Sequence, residues 1–301
     1  MKFISYCILA SLAFYTNAHS ETFKSFKPAS VQPNLKFSTL IWKDSSYSKV
    51  LESKPSEADD IQLTGGPGLN TEIDTDLYFR SFSTDNCIFA KDRNFNLGSF
   101  QLGIPNHPIV PLTAILENCT IKVSKIFEVA THSNQNTSNA SYVDLTLKNS
   151  TFTCSGDFVL DIRIPDILAD QQSITGLKFR LEGNSNVKFA GNISVDEMTI
   201  SNPRQVQCIF EFIEVDSKIP TITFDGDKNN IASSRLNFVF GEDIKDGEYT
   251  LFKFNSYCLE GVFSKIYVNN IKIPFNTKIR TNKKFVTLLK TKSGIVAKVE
   301  K

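Results

Sequence analysis

The side chains best placed for chemistry in this sequence are three carboxylates, Glu72, Asp74 and Asp76, in the stretch Glu72-Ile73-Asp74-Thr75-Asp76. On a β-strand, alternate residues project from the same face, so the spacing predicts three acids side by side. Such a group can hold a calcium ion or supply the acid and base of a polysaccharide hydrolase or lyase. The competing expectation is the solvated face of a strand whose other face carries Ile73, Thr75 and Leu77. Asp225, Asp227 and Asn229 surround Gly226 and form a second candidate, for calcium alone, although Asp-Gly-Asp is also a turn signal. No other cofactor is expected.

Other reaction classes find little support. Gly65-Gly66-Pro67-Gly68 is not followed by a helix or by Lys-Ser/Thr, so it is not read as a phosphate-binding loop. The only histidines are His19, His107 and His132, and the last two fall in a turn and a polar loop, where solvent exposure is the expected state. The sequence contains no C-x-x-C pair, which argues against zinc ribbons and dithiol redox chemistry. Net charge is +1 with both signs scattered along the chain, so no nucleic-acid or membrane-surface tract is expected.

The elements that must position these groups follow an export signal. Lys2, the apolar run from Phe3 to Phe14 and the small-residue exit at Ala18-His19-Ser20 predict a signal peptide over 1–20, cleaved after Ala18 or Ser20. The run is too short to span a bilayer, and no membrane span is expected after cleavage. Five cysteines follow the leader, and burial as small hydrophobes is expected for most of them, with two disulfides and a free thiol as the alternative.

Residues 21–62 are rich in Ser, Lys and Pro and read as an extended or loosely ordered segment with one strand near Leu35 to Trp42. Beyond them, apolar residues alternate in short runs, such as Val143-Leu145-Leu147, Leu177-Phe179-Leu181 and Leu236-Phe238-Phe240. Period two over short runs separated by Gly-Asp and Gly-Asn turns predicts an all-β protein. Three segments share a leucine, a turn asparagine, a small residue and an apolar residue, with Asn118, Asn149 and Asn184 at the turn. That recurrence favours a right-handed parallel β-helix, a solenoid with an asparagine at one corner of successive coils, over 63–235. A β-sandwich is the alternative. The 25 phenylalanines against one tryptophan, Trp42, suit a narrow stacked core.

The last third carries the most specific pattern. Leu236-Asn237-Phe238 is followed by Asp246-Gly247-Glu248-Tyr249-Thr250-Leu251-Phe252 and then Gly261-Val262-Phe263-Ser264. This order resembles the closing module of autotransporter passenger domains, with Gly247, Tyr249, Thr250, Leu251, Gly261 and Phe263 as its motif residues. The resemblance implies a right-handed β-helix exported across the inner membrane of a Gram-negative bacterium, with 236–301 as C-terminal capping strands. No outer-membrane barrel follows before Lys301, so secretion through a barrel in cis is not expected. Periplasmic retention, another export route and a truncated relative remain open. The expected function is that of a secreted or cell-envelope protein, in the periplasm or at the cell surface, with no catalytic turnover. It would adhere to, or interact with, a surface ligand or a host or matrix component. A β-helical polysaccharide lyase or glycoside hydrolase is the alternative.

Overall fold

The computed structural model describes residues 21–26, 34–47, 49–51, 54–64, 69–103, 112–132, 142–163, 175–196, 206–226, 234–254 and 265–301. They are all-β apart from one turn of 3-10 helix at Phe37–Thr39. Sheet A stacks β1 (Thr22–Phe26), β4 (Asp60–Leu63), β6 (Leu77–Thr84), β8 (Asn94–Leu102), β10 (Thr120–His132), β12 (Thr151–Cys154), β15 (Asn186–Phe189), β18 (Thr221–Phe224) and β20 (Gly247–Phe254) in parallel. Two further strands, β13 (Asp157–Arg163) and β16 (Ile193–Asp196), extend this sheet beyond a bend. Sheet B stacks β2 (Asn34–Lys36), β5 (Asn70–Ile73), β7 (Cys87–Lys91), β9 (Leu112–Glu117), β11 (Tyr142–Lys148), β14 (Thr175–Glu182), β17 (Val206–Ile213), β19 (Arg235–Val239) and β21 (Lys265–Val268), also in parallel.

The chain passes from one sheet to the other and back, so each coil adds one rung to both. Two sheets do face one another, as a sandwich would have them, but each strand's sheet partners come from the preceding and following coils. That is solenoid-like connectivity, and neither sheet closes into a barrel among the described residues.

The phenylalanines explain why the stack holds. Alternation turns one side chain in two inward, and successive rungs bring those side chains within ring-stacking distance. Phe127 stacks on Phe158 at 5.2 Å, Phe158 on Phe189 at 5.1 Å, Phe189 on Phe224 at 5.7 Å and Phe224 on Phe252 at 5.8 Å. Across the core, Phe252 of sheet A meets Phe210 and Phe212 of sheet B at 5.3 and 4.9 Å. Cys119, Cys154 and Cys208 are buried free thiols within this core, and Cys87 is buried beside it, its sulfur accepting from the N–H of Thr113 at 3.4 Å. Burial pushes the thiols of Cys119, Cys154 and Cys208 up, which makes them poor nucleophiles. Cys258 lies outside the described residues.

The two edges of the coil differ. Passage from sheet B to sheet A is short in the middle coils, where Glu117 to Thr120, Lys148 to Thr151 and Glu182 to Asn186 each take a tight corner, and longer towards the C-terminal end, at Ile213 to Thr221 and Val239 to Gly247. The first residue of each tight corner has positive φ, at Asn118 (52°), Asn149 (47°) and Gly183 (61°). Short polar asparagine and glycine tolerate that conformation. The asparagine expected third in the series, Asn184, is displaced by one residue, because Lys148 pairs with Glu182 and Gly183 therefore follows in register. Asn184 still joins the corner, its N–H donating to Asn149 Oδ1 at 3.0 Å. Beneath runs a serine ladder. Cys119 N–H donates to Ser150 Oγ (2.9 Å), and Ser150 N–H donates to Ser185 Oγ (3.2 Å). Passage from sheet A to sheet B is mostly longer. Leu102 to Leu112, His132 to Tyr142, Arg163 to Thr175, Asp196 to Val206, Phe224 to Arg235 and Phe254 to Lys265 all fall on that edge.

Parallel pairing reaches beyond 63–235 at both ends. Residues 21–62, expected to be extended or loosely ordered, include β1, β2 and most of β4, and the antiparallel strand β3 (Ile41–Lys43) pairs with β1. Three buried aromatics, Phe23, Phe37 and Trp42, anchor these short strands, a contribution that Ser/Lys/Pro composition conceals. At the other end the ladder changes direction. β20 pairs in parallel with β18 and antiparallel with β25 (Gly294–Glu300), which pairs with β24 (Lys284–Thr291) and through it with β23 (Lys278–Thr281). A bulge between Thr250 and Phe252 turns both Leu251 and Phe252 inward on this last rung. Gly247, Tyr249 and Thr250 lie on the same strand, whereas Gly261 and Phe263 lie outside the described residues.

Candidate functional site

The three acids do not share one strand face. β5 ends at Ile73, so only Glu72 projects from sheet B, and Asp74 and Asp76 occupy the corner leading to β6. Each of those two carboxylates ties its corner to another coil. Asp74 accepts hydrogen bonds from the N–H and Oγ of Ser38, at 2.9 and 2.5 Å, while Asp76 accepts from the N–H and Nδ2 of Asn94, at 2.8 and 3.2 Å. Burial pushes Asp74 up, but its bonds from Ser38 and nearby Lys36 outweigh this and hold it below the usual carboxylate range. The bonds from Asn94 do the same for Asp76. Carboxyls held low in this way are ionised at neutral pH and do not serve as general acids.

In the second candidate, Asp225 forms an ion pair with Lys188 at 2.6 Å; Asp227 and Asn229 lie outside the described residues. No group of metal-ligating side chains occurs among the described residues. Ala18, Ser20 and His107 also lie outside them. His132 closes β10.

What the fold assembles instead is a cleft at the N-terminal end of sheet A. The 3-10 turn at Phe37, Trp42 on β3, the segment Lys54 to Glu57, the corner at Asp76, and Tyr78 and Phe79 on β6 enclose about 360 Å³. Phe37 packs edge-on against Trp42 at 5.3 Å and lies tilted against Phe79 at 6.0 Å, so the floor is aromatic. Tyr78, 41% exposed, stands at the rim. A shallower depression of about 200 Å³ shares Glu57, Tyr78 and Phe79 and continues past Asn96 to Ser124. The sequence signalled Trp42 only as an isolated aromatic, because the cleft joins residues from separate coils.

From that rim the outer face of sheet A runs the length of the stack. Register places Tyr78, Asn96, Lys122, Thr153, Lys188, Thr223 and Lys253 in one outward column. Beside it runs a polar column of Asn94, Thr120, Thr151, Asn186 and Thr221.

The outer face of sheet B is built differently. Arg180 Nε donates to Glu211 Oε2 at 2.8 Å, Lys178 lies 3.5 Å from the same oxygen, and Asn237 Nδ2 donates to Oε1 at 3.0 Å. Burial pushes Glu211 up, but Arg180, Lys178 and Asn237 together hold it below its ordinary value. Lys91 pairs with Glu117 at 2.6 Å and Lys148 with Glu182 at 3.6 Å.

Compared with known proteins, the chain matches no family model, no curated relative and no solved structure.

Proposed function

We propose that this chain is a secreted or cell-envelope β-solenoid that works by binding, as a surface adhesion or interaction protein without turnover. Its coil is taken as right-handed, in line with the strong preference of parallel crossover connections and with its likeness to autotransporter passengers. Export rests on Lys2 and the apolar run Phe3 to Phe14, with cleavage after Ala18 or Ser20.

The observation that carries the reading is the asymmetry of the coil edges. In the middle coils, tight, hydrogen-bonded corners from sheet B to sheet A hold the ladder in register, while the connections on the opposite edge are longer between strands that keep their pairing. A rigid scaffold whose longer connections gather mostly on one edge suits recognition rather than a fixed reaction geometry.

The test applies labelled full chain to a panel of glycans, host cells and matrix, and assays the same glycans for cleavage products. Saturable binding with no cleavage is the expected result. Calcium-dependent cleavage that disappears in Asp74→Ala would replace this reading with the lyase or hydrolase.

A further inference from the structure

We infer that the outer face of sheet A is a binding ribbon for a linear acidic polysaccharide whose carboxylates recur once per disaccharide. The inference rests on the binding-protein reading and names its ligand class.

The spacing of charge carries it. In the outward column, lysine and threonine alternate rung by rung from Lys122 through Thr153, Lys188 and Thr223 to Lys253. Rungs lie about 4.8 Å apart, so successive lysines recur at about 9.5 Å. A polymer with one carboxylate per disaccharide carries its charges at a comparable interval, so one chain laid along the stack meets each lysine in turn. The side chains between suit sugar: threonine hydroxyls and asparagine amides both donate and accept, matching sugar hydroxyls. The column begins at Tyr78, 41% exposed at the rim of the aromatic cleft, where an aromatic ring suits contact with a sugar.

The charges are available. Lys122 and Lys253 are exposed and have no ion-pair partner among the described residues. Lys188 pairs with Asp225, whose side chain is 20% exposed, but the lysine side chain is 53% exposed and leaves its ammonium open to a ligand carboxylate as well. A nucleic acid fits less well. A duplex carries one charge per roughly 1.7 Å of axis, far denser than the lysines.

The experiment measures full-chain binding to hyaluronan fragments, with dextran as the neutral control and an oligothymidylate as the competing polyanion. Binding is expected to hyaluronan alone, and to weaken as salt rises. The Lys122→Gln/Lys253→Gln double variant, checked for fold by circular dichroism, should lose about tenfold or more, the factor expected from losing charge-assisted contacts. Lys122→Arg/Lys253→Arg should retain binding, and Asp225→Asn, which frees Lys188, should strengthen it. Lys91→Gln/Lys148→Gln on sheet B should bind as the parent does. Equal losses from the two glutamine pairs, salt-independent binding, or oligothymidylate binding as tight as hyaluronan would overturn the inference. Cell or matrix binding that survives Lys122→Gln/Lys253→Gln would sink the ribbon and leave the adhesion reading standing, whereas no binding to any surface would sink both.

Discussion

The two outward faces of the same coil use charge in opposite ways. On sheet B, cations sit beside anions on neighbouring rungs, as in Lys91 with Glu117 and Lys178 and Arg180 around Glu211, so the face neutralises itself and is partly withdrawn from water. In the outward column of sheet A, lysines alternate with threonines, and of Lys122, Lys188 and Lys253 only Lys188 has an acidic partner among the described residues, Asp225. The backbones differ as well. Sheet A is creased where Gly156, Gly191 and Gly226 stack, and sheet B has no such column among the described residues. In a parallel ladder identical positions repeat every rung, so any choice of side chain is amplified into a stripe. One stripe here is closed by internal pairing, and the other is left open to a partner.

The crease is the place to break that comparison most severely. A Cβ on Gly156 would lie 1.4 Å from the carbonyl oxygen of Lys125, and one on Gly191 would lie 2.4 Å from the backbone of Gly156. The obstructing atoms are backbone, so relief requires a whole rung to move. Gly156→Ala is expected to destabilise the fold by about 3 kcal/mol, the upper end of what overpacking costs, read as a lowered urea midpoint. A neutral Gly156→Ala variant would mean that the crease is not tightly stacked.

A smaller loss is expected on sheet B. Glu211→Gln removes the carboxylate that Arg180 and Lys178 share while leaving both cations half-buried, so a loss of about 1–2 kcal/mol follows, between the values for exposed and buried pairs. The pH dependence has a definite sign. Glu211 in the folded chain is held below its ordinary value of 4.5, so its contribution is complete above that pH and disappears as pH falls through the lower folded value. Urea midpoints between pH 7 and pH 3 should therefore fall less steeply in Glu211→Gln than in the parent. Parallel curves would show that Glu211 is not coupled to folding.

Much of the scaffold was legible because it depends on local patterns. Alternation revealed the strands, and the Gly-Asp and Gly-Asn turns that separate them include Gly156, Gly191 and Gly226, whose stacking only the register shows. Asn118 and Asn149 disclosed the recurring corner, and the third member was misplaced by one residue because only register distinguishes Gly183 from Asn184. The acids misled for a related reason. Glu72, Asp74 and Asp76 have strand spacing, but β5 ends at Ile73, and Asp74 and Asp76 sit in the following corner, accepting hydrogen bonds from Ser38 and Asn94 of other coils. The lysine column and the aromatic cleft were not legible. Lys122, Lys188 and Lys253 are separated in sequence by whole coils of unequal length, and only the pairing register aligns them.

The finest test compares single lysines, one from each face. Lys91→Gln breaks an exposed pair with Glu117, and Lys122→Gln removes a lysine with no acidic partner among the described residues. Exposed pairs gain little Coulomb energy in water and lose side-chain freedom in forming. Neither variant should move the urea midpoint measurably, although one residue is paired and the other is not. A shift for Lys91→Gln as large as that for Glu211→Gln would mean that pairing itself, rather than withdrawal from water, stabilises sheet B. The two faces would then differ in strength as well as in purpose. If both midpoints stay fixed, the exposed pairs of sheet B serve chiefly to keep that face neutral, and the open lysines of sheet A are retained at no cost to the fold.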